Sequence, residues 1–258
     1  MLVSCNNVNT TGATTPSSAE IDFYLAVAKG DFTGYTKVNK FGYNDSIGSG
    51  SFEVIWETGG QYPYQSTAVT VDVVSDDTND DVAGSGARTL RIQGLDGSYN
   101  LAEETVDMDG TTTVTTTQTF LRVFRMSVET AGTSGNNVGN ISVTYTGGSD
   151  VAATITAGNG QTLMAVYTIP AGKTGYVVAM NFGSGKDQEQ TCKLKTRDNT
   201  IANSAFQTKE YLNIRGGFTY FPKKAITKIT EKTDIELQAI SSSTSSASGG
   251  FELILIDN

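Results

Sequence analysis

The stretch Val69-Thr70-Val71-Asp72-Val73 alternates apolar and polar residues, which places its valines on one face of a β-strand. Ile141 to Tyr145 repeats the pattern. The final run, Phe251 to Ile256, is apolar on both faces after Glu252, which indicates burial in the middle of a sheet or under a partner chain. Shorter alternations that predict further strands with one buried face lie at Leu90–Ile92, Leu121–Met126 and Ile235–Ala239.

Turn signals separate these strands. Asp96-Gly97 and Asp109-Gly110 favour tight hairpins, because Asp and Gly tolerate positive φ. Many short strands at this spacing are typical of a sandwich or barrel. The sequence therefore predicts an all-β, jelly-roll-like antiparallel β-sandwich over residues 42–258, with a subdivision near residues 131–139 as an alternative.

The N-terminal region has a different character. Residues 1–16 are mostly Asn, Thr, Ser and Gly, and we expect a flexible arm. Ser17 and Glu20 have the spacing of a capping box, and Gly30 can end the helix that it starts. A strand through residues 21–25 is the alternative. We assign residues 17–41 to a short helix and anchoring segment.

The chain of 258 residues contains no histidine. Histidine is the commonest general base and metal ligand, and the usual partner of a catalytic serine or cysteine. No Gly-x-Ser-x-Gly motif is present, and the adjacent Glu103 and Glu104 would point to opposite faces of a strand. We therefore expect no enzyme activity, catalytic residue, metal site or cofactor, and a hydrolase is the weakest hypothesis.

Charge and cysteine content limit the partners. A net charge of −9 disfavours nucleic-acid binding, and no run approaches the ~20 apolar residues of a membrane span. Cys5 and Cys192 are too few for a disulfide framework, so assembly in reducing cytoplasm fits best, although a bridge between them stays open. We expect neither nucleic acid nor membrane as a partner.

The acidic and basic residues are segregated along the chain. Acids dominate between Asp72 and Asp109, and bases dominate between Lys186 and Lys232. Identical copies could use this asymmetry to orient their packing, while two ordinary solvated faces are the alternative. Within the acidic part, the run Asp76–Asp81 could hold calcium, but it lacks EF-hand spacing, and an exposed acidic loop is favoured.

Aromatic residues cluster around Gly59-Gly60. Trp56, Tyr62 and Tyr64 could stack on sugar rings, which is the usual chemistry of a carbohydrate-binding module. The favoured interpretation is that Phe52, Ile55 and Trp56 are core or subunit-interface residues.

Nine short segments within residues 20–258 carry a resemblance to known proteins: Val27–Gly30, Val38–Gly42, Ile55–Gly60, Gly84–Thr89, Gly94–Gly97, Leu121–Arg125, Asn159–Met164, Tyr167–Thr174 and Phe251–Asn258. They resemble a family of virion structural proteins of tailed, often marine, bacteriophages. The resemblance implies a head-associated component of decoration or minor capsid type without enzyme activity. A glycan-binding adhesion module on the phage head or tail is the alternative.

These observations lead to one main hypothesis. The chain decorates or cements a phage capsid shell as a homotrimer, with the major capsid protein or other virion proteins as partners, on the capsid surface of virions assembled in the host cytoplasm. The N-terminal segment would order on the shell. The expected anchoring residues are Ile21, Phe23, Leu25, Lys29, Lys37, Lys40 and Phe41.

Overall fold

The computed structural model describes residues 23–258, except the side chains of Lys186, Lys224 and Ala225. The described chain is all-β and antiparallel apart from one short N-terminal helix, α1, so the expected fold class is confirmed. The elements are α1 (Phe23–Lys29), β1 (Tyr35–Ile47), β2 (Glu53–Val54), β3 (Val71–Ser75), β4 (Ala87–Leu95), β5 (Leu101–Asp107), β6 (Val114–Thr115), β7 (Arg122–Ala131), β8 (Ile141–Tyr145), β9 (Val151–Ile155), β10 (Val166–Thr168), β11 (Lys173–Asp198), β12 (Gln207–Ile229), β13 (Thr233–Ser241) and β14 (Ser245–Asp257).

The middle of the chain forms a two-layer β-sandwich. One layer has the strand order β6-β3-β8-β9 and the other has the order β5-β4-β7. The apolar residues of the predicted alternating strands fill the core between the two layers, where Val71, Ile92 and Val143 are fully buried. Residues 132–140 connect β7 in one layer to β8 in the other. The subdivision considered there is therefore a connection within one sandwich.

The other strands form one seven-stranded sheet that folds over on itself into a second sandwich. Residues 190–198 of β11 pair with β13, and residues 173–184 pair with β14. Between these halves, the pairing of β11 with β12 shifts register, and Gly217 has a positive φ of 77°. Such irregularities let a strand turn a corner. Phe182 and Leu194, from the two halves of β11, then share one apolar core.

The N-terminal elements differ in part from expectation. α1 ends at Lys29 and is followed by Gly30, whose φ is 79°, as predicted for a residue that ends a helix. The arm (residues 1–16) and the capping box (residues 17–20) lie outside the described residues. β1 pairs with β14 from Tyr35 to Ile47. The expected boundary at residue 41 thus falls inside a strand, and residues 35–41 belong to the second sandwich.

One of the two predicted hairpins forms. β4 and β5 pair across the Asp96 loop, where Tyr99 rather than Gly97 has positive φ, because the Asp96 carboxylate accepts the N–H groups of Ser98 and Asn100. Around Gly110 the chain also turns, but β5 pairs with β4 and β6 pairs with β3. That hairpin prediction was wrong, because the turn joins two layers.

Some polar side chains that alternate with the apolar ones are also buried. Arg122 and Glu236 are only 3% and 2% exposed, because the second face of β7 and of β13 is covered where the two sandwiches meet. Arg122 Nε lies 3.0 Å from the Asp234 carboxylate, and Arg197 Nη2 lies 2.7 Å from it. Thr168 and Asn199 donate further hydrogen bonds to Asp234.

Replacing the buried carboxylate by an amide is expected to destabilise the fold. In Asp234→Asn, Arg122 would keep its buried charge without a carboxylate partner, at a cost of about 3–5 kcal/mol in the free energy of unfolding. Urea denaturation followed by Trp56 fluorescence measures the change. The matched control is Asp187→Asn, which breaks the exposed Arg215 pair and should cost less than about 1 kcal/mol. Equal losses in both variants would contradict a structural role for the buried network.

Candidate interaction surfaces

Helix α1 presents large apolar side chains to solvent. Its inner side, Ala26 and Val27, is buried, and Val27 packs on Val178 of β11 and Ile254 of β14, which form the outer face of the second sandwich. The seven described residues of the helix are too few to be stable alone, so this packing helps to hold them in place. On its other side Leu25 is 56% exposed.

Aromatic rings extend the exposed surface of α1. The Phe23 ring centroid lies 5.6 Å from those of Tyr24 and Phe32, and 6.2 Å from that of Tyr35. Phe23, Tyr24 and Phe32 are each 43–44% exposed. Contiguous exposed apolar surface marks sites of protein contact. We call Phe23, Tyr24, Leu25, Phe32 and Tyr35 the α1 patch.

The predicted anchoring residues fall into two groups. Phe23 and Leu25 belong to the α1 patch, and the exposed Lys29 pairs with Asp31 beside it, at 3.4 Å. Ile21 lies outside the described residues.

The second group, Lys37, Lys40 and Phe41, lies on β1 within the sandwich. Lys37 pairs with Glu252 of β14 at 3.1 Å, and Phe41 is half-buried with the Arg125 guanidinium 5.7 Å from its ring. Lys40 is buried, so its assignment as a shell contact was wrong. Period-two alternation puts Lys40 on the face of β1 that the first sandwich covers.

Lys40 lines a cleft of about 530 Å³ between β1 and the first sandwich. Its Nζ donates to the carbonyl oxygen of Phe124 and lies 5.7 Å from that ring. Burial lowers the pKa of Lys40 well below its usual value, and the charge of Arg125 lowers it further. No carboxylate within residues 23–258 pairs with Lys40 to offset this cost.

The lowered pKa predicts a stability that depends on pH. Between the folded-state pKa of Lys40 and 10.5, the unfolded chain binds a proton that the folded chain lacks, so this residue makes stability rise with pH. Lys40→Met should raise stability at about pH 7 and flatten the rise towards about pH 10. Urea unfolding of both proteins across that range measures the difference, with Lys37→Met as control. Identical pH profiles for wild type and Lys40→Met would contradict the desolvated lysine.

The proposed sugar-stacking rings are engaged inside the protein. Trp56 and Tyr62 are 2% and 4% exposed, and their ring centroids lie 5.4 Å apart. Tyr64 is half-buried between the guanidinium groups of Arg122 and Arg197, at 4.9 and 4.5 Å, and its hydroxyl donates to Glu236. Trp56 and Tyr62 therefore offer no free face to a glycan.

The acidic run between β3 and β4 is organised by one buried carboxylate. Asp80 accepts hydrogen bonds from the N–H groups of Ala87, Val138 and Gly139 and from the Ser75 hydroxyl. N–H donors thus occupy both of its oxygens. Within residues 23–258 no cluster of three or more His, Cys, Asp or Glu side chains is arranged to hold a metal ion.

The paired glutamates of β5 point to opposite faces, as predicted. Glu103 is exposed and lies 2.6 Å from Arg91 Nη2. Glu104 accepts the backbone N–H groups of Thr117 and Gln118. The two carboxylates therefore form separate contacts and share no cleft.

Two further expectations concern the surroundings of the chain, namely assembly in a reducing compartment and the lack of a membrane partner. Cys192 is buried in the second sandwich, which raises the pKa of its thiol, and Cys5 lies outside the described residues. Within the described part of the chain, no helix has the length and apolar composition to cross a membrane.

The sequence patterns gave no indication of the surface formed by β12. This strand of 23 residues pairs only with β11, so its other edge has no strand partner within residues 23–258. The only signal in its sequence was the presence of apolar residues. Such residues occur both in edge strands and in buried strands, so they do not distinguish the two. The large exposed side chains are Tyr211, Phe218, Tyr220 and Ile226, each 52–67% exposed.

Comparison with known proteins gave limited similarity. No protein-family model and no curated protein matches the chain. The structure of T=1 particles derived from infectious bursal virus shares 10% identity over 87% of this chain and 70% of that chain, with a TM-score of 0.26. For the infectious bursal disease virus Gx strain the values are 11%, 86% and 75%, with a TM-score of 0.20. TM-scores this low carry no argument about this chain.

Proposed function

We propose that this chain is a non-enzymatic structural protein of a phage virion that decorates or cements the capsid shell. The α1 patch carries the proposal, because it is an apolar surface held outward by a helix that the second sandwich supports. The resemblance of residues 20–258 to phage virion proteins supports the same role. Its partner would be the major capsid protein or another virion protein.

The α1 patch is large enough for a weak contact with a shell, which would be repeated by every bound copy. Fully burying a Phe or Leu side chain contributes about 1.5–3 kcal/mol, and these side chains are already half-covered. A few kcal/mol per copy remains, from which the cost of association is subtracted. Repeated across capsomer boundaries, such contacts stabilise an assembled shell by mass action.

The remaining structure supports a passive role. The two sandwiches pack through the network around Asp234, which gives the α1 patch a fixed platform. The adjacent glutamates of β5 form separate contacts, and Asp80 is saturated with hydrogen-bond donors. Binding to a shell requires only surface complementarity.

Weakening the α1 patch should weaken shell binding. We expect the double variant Leu25→Ser/Phe32→Ser to lose about 10- to 100-fold in affinity, because it removes two half-exposed apolar side chains from the contact. Co-sedimentation with shells assembled without this protein measures binding. Deleting residues 1–41 is unsuitable, because it removes half of β1.

A matched control separates the patch from general surface hydrophobicity. Ile201→Ser changes a side chain that is 59% exposed in the connection between β11 and β12, and it should bind shells normally. Circular dichroism should show the same thermal unfolding for all three proteins. Full shell occupancy by Leu25→Ser/Phe32→Ser would rule out the α1 patch as the anchor.

A further inference from the structure

The edge of β12 is long and accessible. Its backbone N–H and C=O groups on the side away from β11 have no strand partner among the described residues, along both halves of the folded sheet. Unpaired edges of this kind are templates for strand addition. The exposed rings of Phe218 and Tyr220 lie beside the edge, where an incoming strand would cover them.

The β12 edge is basic. Lys223 pairs with Glu210 across the two layers, and Arg215 pairs with Asp187. Lys209 and Lys228 are exposed and have no acidic partner within residues 23–258. The strand carries one acid against Lys209, Arg215, Lys223, Lys224 and Lys228.

A complementary edge lies on the first sandwich. β5 is the outer strand of the layer β5-β4-β7 and pairs only with β4. Its first residue, Leu101, is 59% exposed. Asp107 at its end and Asp109 just beyond are exposed and form no ion pair with any described residue. Along β5 this edge has the opposite charge and a side without a strand partner among the described residues, as the β12 edge requires. Beyond β5, Asp109 forms an antiparallel bridge with Asp81.

Charge decides between two ways of joining identical copies. A two-fold contact of β12 with β12 would bring the Lys228 end of one copy towards the Lys209 end of the other, which repels. A head-to-tail contact of β12 with β5 sets bases against acids and extends the sheet. The lysines on the β12 edge therefore favour an acidic partner strand, because they repel a second basic strand.

We propose that the open edge of β12 docks onto the acidic β5 edge of a second copy of this chain, in a head-to-tail interface. The proposal rests on the proposed virion function and specifies its self-association. Because two different surfaces meet, a joined pair still has one free β12 edge and one free β5 edge. A ring closes if the rotation between copies allows it, as a homotrimer requires.

A charge swap tests the interface in the full-length chain. Size-exclusion chromatography with light scattering should show an oligomer for wild type at about 0.05 M salt that weakens at about 0.5 M. Lys209→Glu/Lys228→Glu and Asp107→Lys/Asp109→Lys should each weaken self-association at least about tenfold, because each sets like charges against each other. The quadruple variant that combines them should restore the oligomer.

The outcomes separate the two proposals. A monomeric wild type, or an oligomer that Asp107→Lys/Asp109→Lys leaves intact, overturns the β12–β5 interface. In either case shell binding through the α1 patch can still be measured, and its persistence leaves the capsid proposal standing. Oligomers that follow the charge swap but never bind shells overturn the capsid proposal alone. Unchanged thermal unfolding of the variants verifies that exposed charges, not folding, were altered.

Discussion

The carboxylate of Asp234 lies at the centre of the contact between the two sandwiches. It lies between Arg122 of β7, in the first sandwich, and Arg197 of β11, in the second, and the Tyr64 ring packs against both guanidinium groups. Taking these charges out of water is costly, and only close pairing with complete hydrogen bonding offsets the cost. The arrangement of β7 against β13 that pairs these charges is therefore lower in free energy than shifted arrangements, which would leave buried charges unpaired.

The relative position of the proposed interaction surfaces depends on this junction. The α1 patch lies on the outer face of the second sandwich, whereas the β5 edge belongs to the first and the β12 edge to the second. A head-to-tail contact between copies requires the two edges at a constant angle. A junction of apolar contacts alone would fix that angle less strictly, because hydrophobic packing is not directional.

Much of the fold was predictable because strand periodicity is a local property. The alternation that begins at Val69 identified β3, and the doubly apolar run from Phe251 correctly indicated a strand buried between two neighbours, β1 and β11. Gly30 ended the helix as expected. The opposite orientations of Glu103 and Glu104 followed from the same period of two.

Period two specifies which side chains share a face, but it does not specify what covers that face. The alternation places Arg122 and Lys40 on the polar faces of their strands. Both are buried because the two sandwiches dock there. The same docking enclosed Trp56 and left the edge of β12 open. The sequence by itself determined the strands, their apolar faces and the segregation of charge. Tertiary structure decided burial, the sheet edges and the exposed α1 patch, because these depend on contacts between residues far apart in the chain.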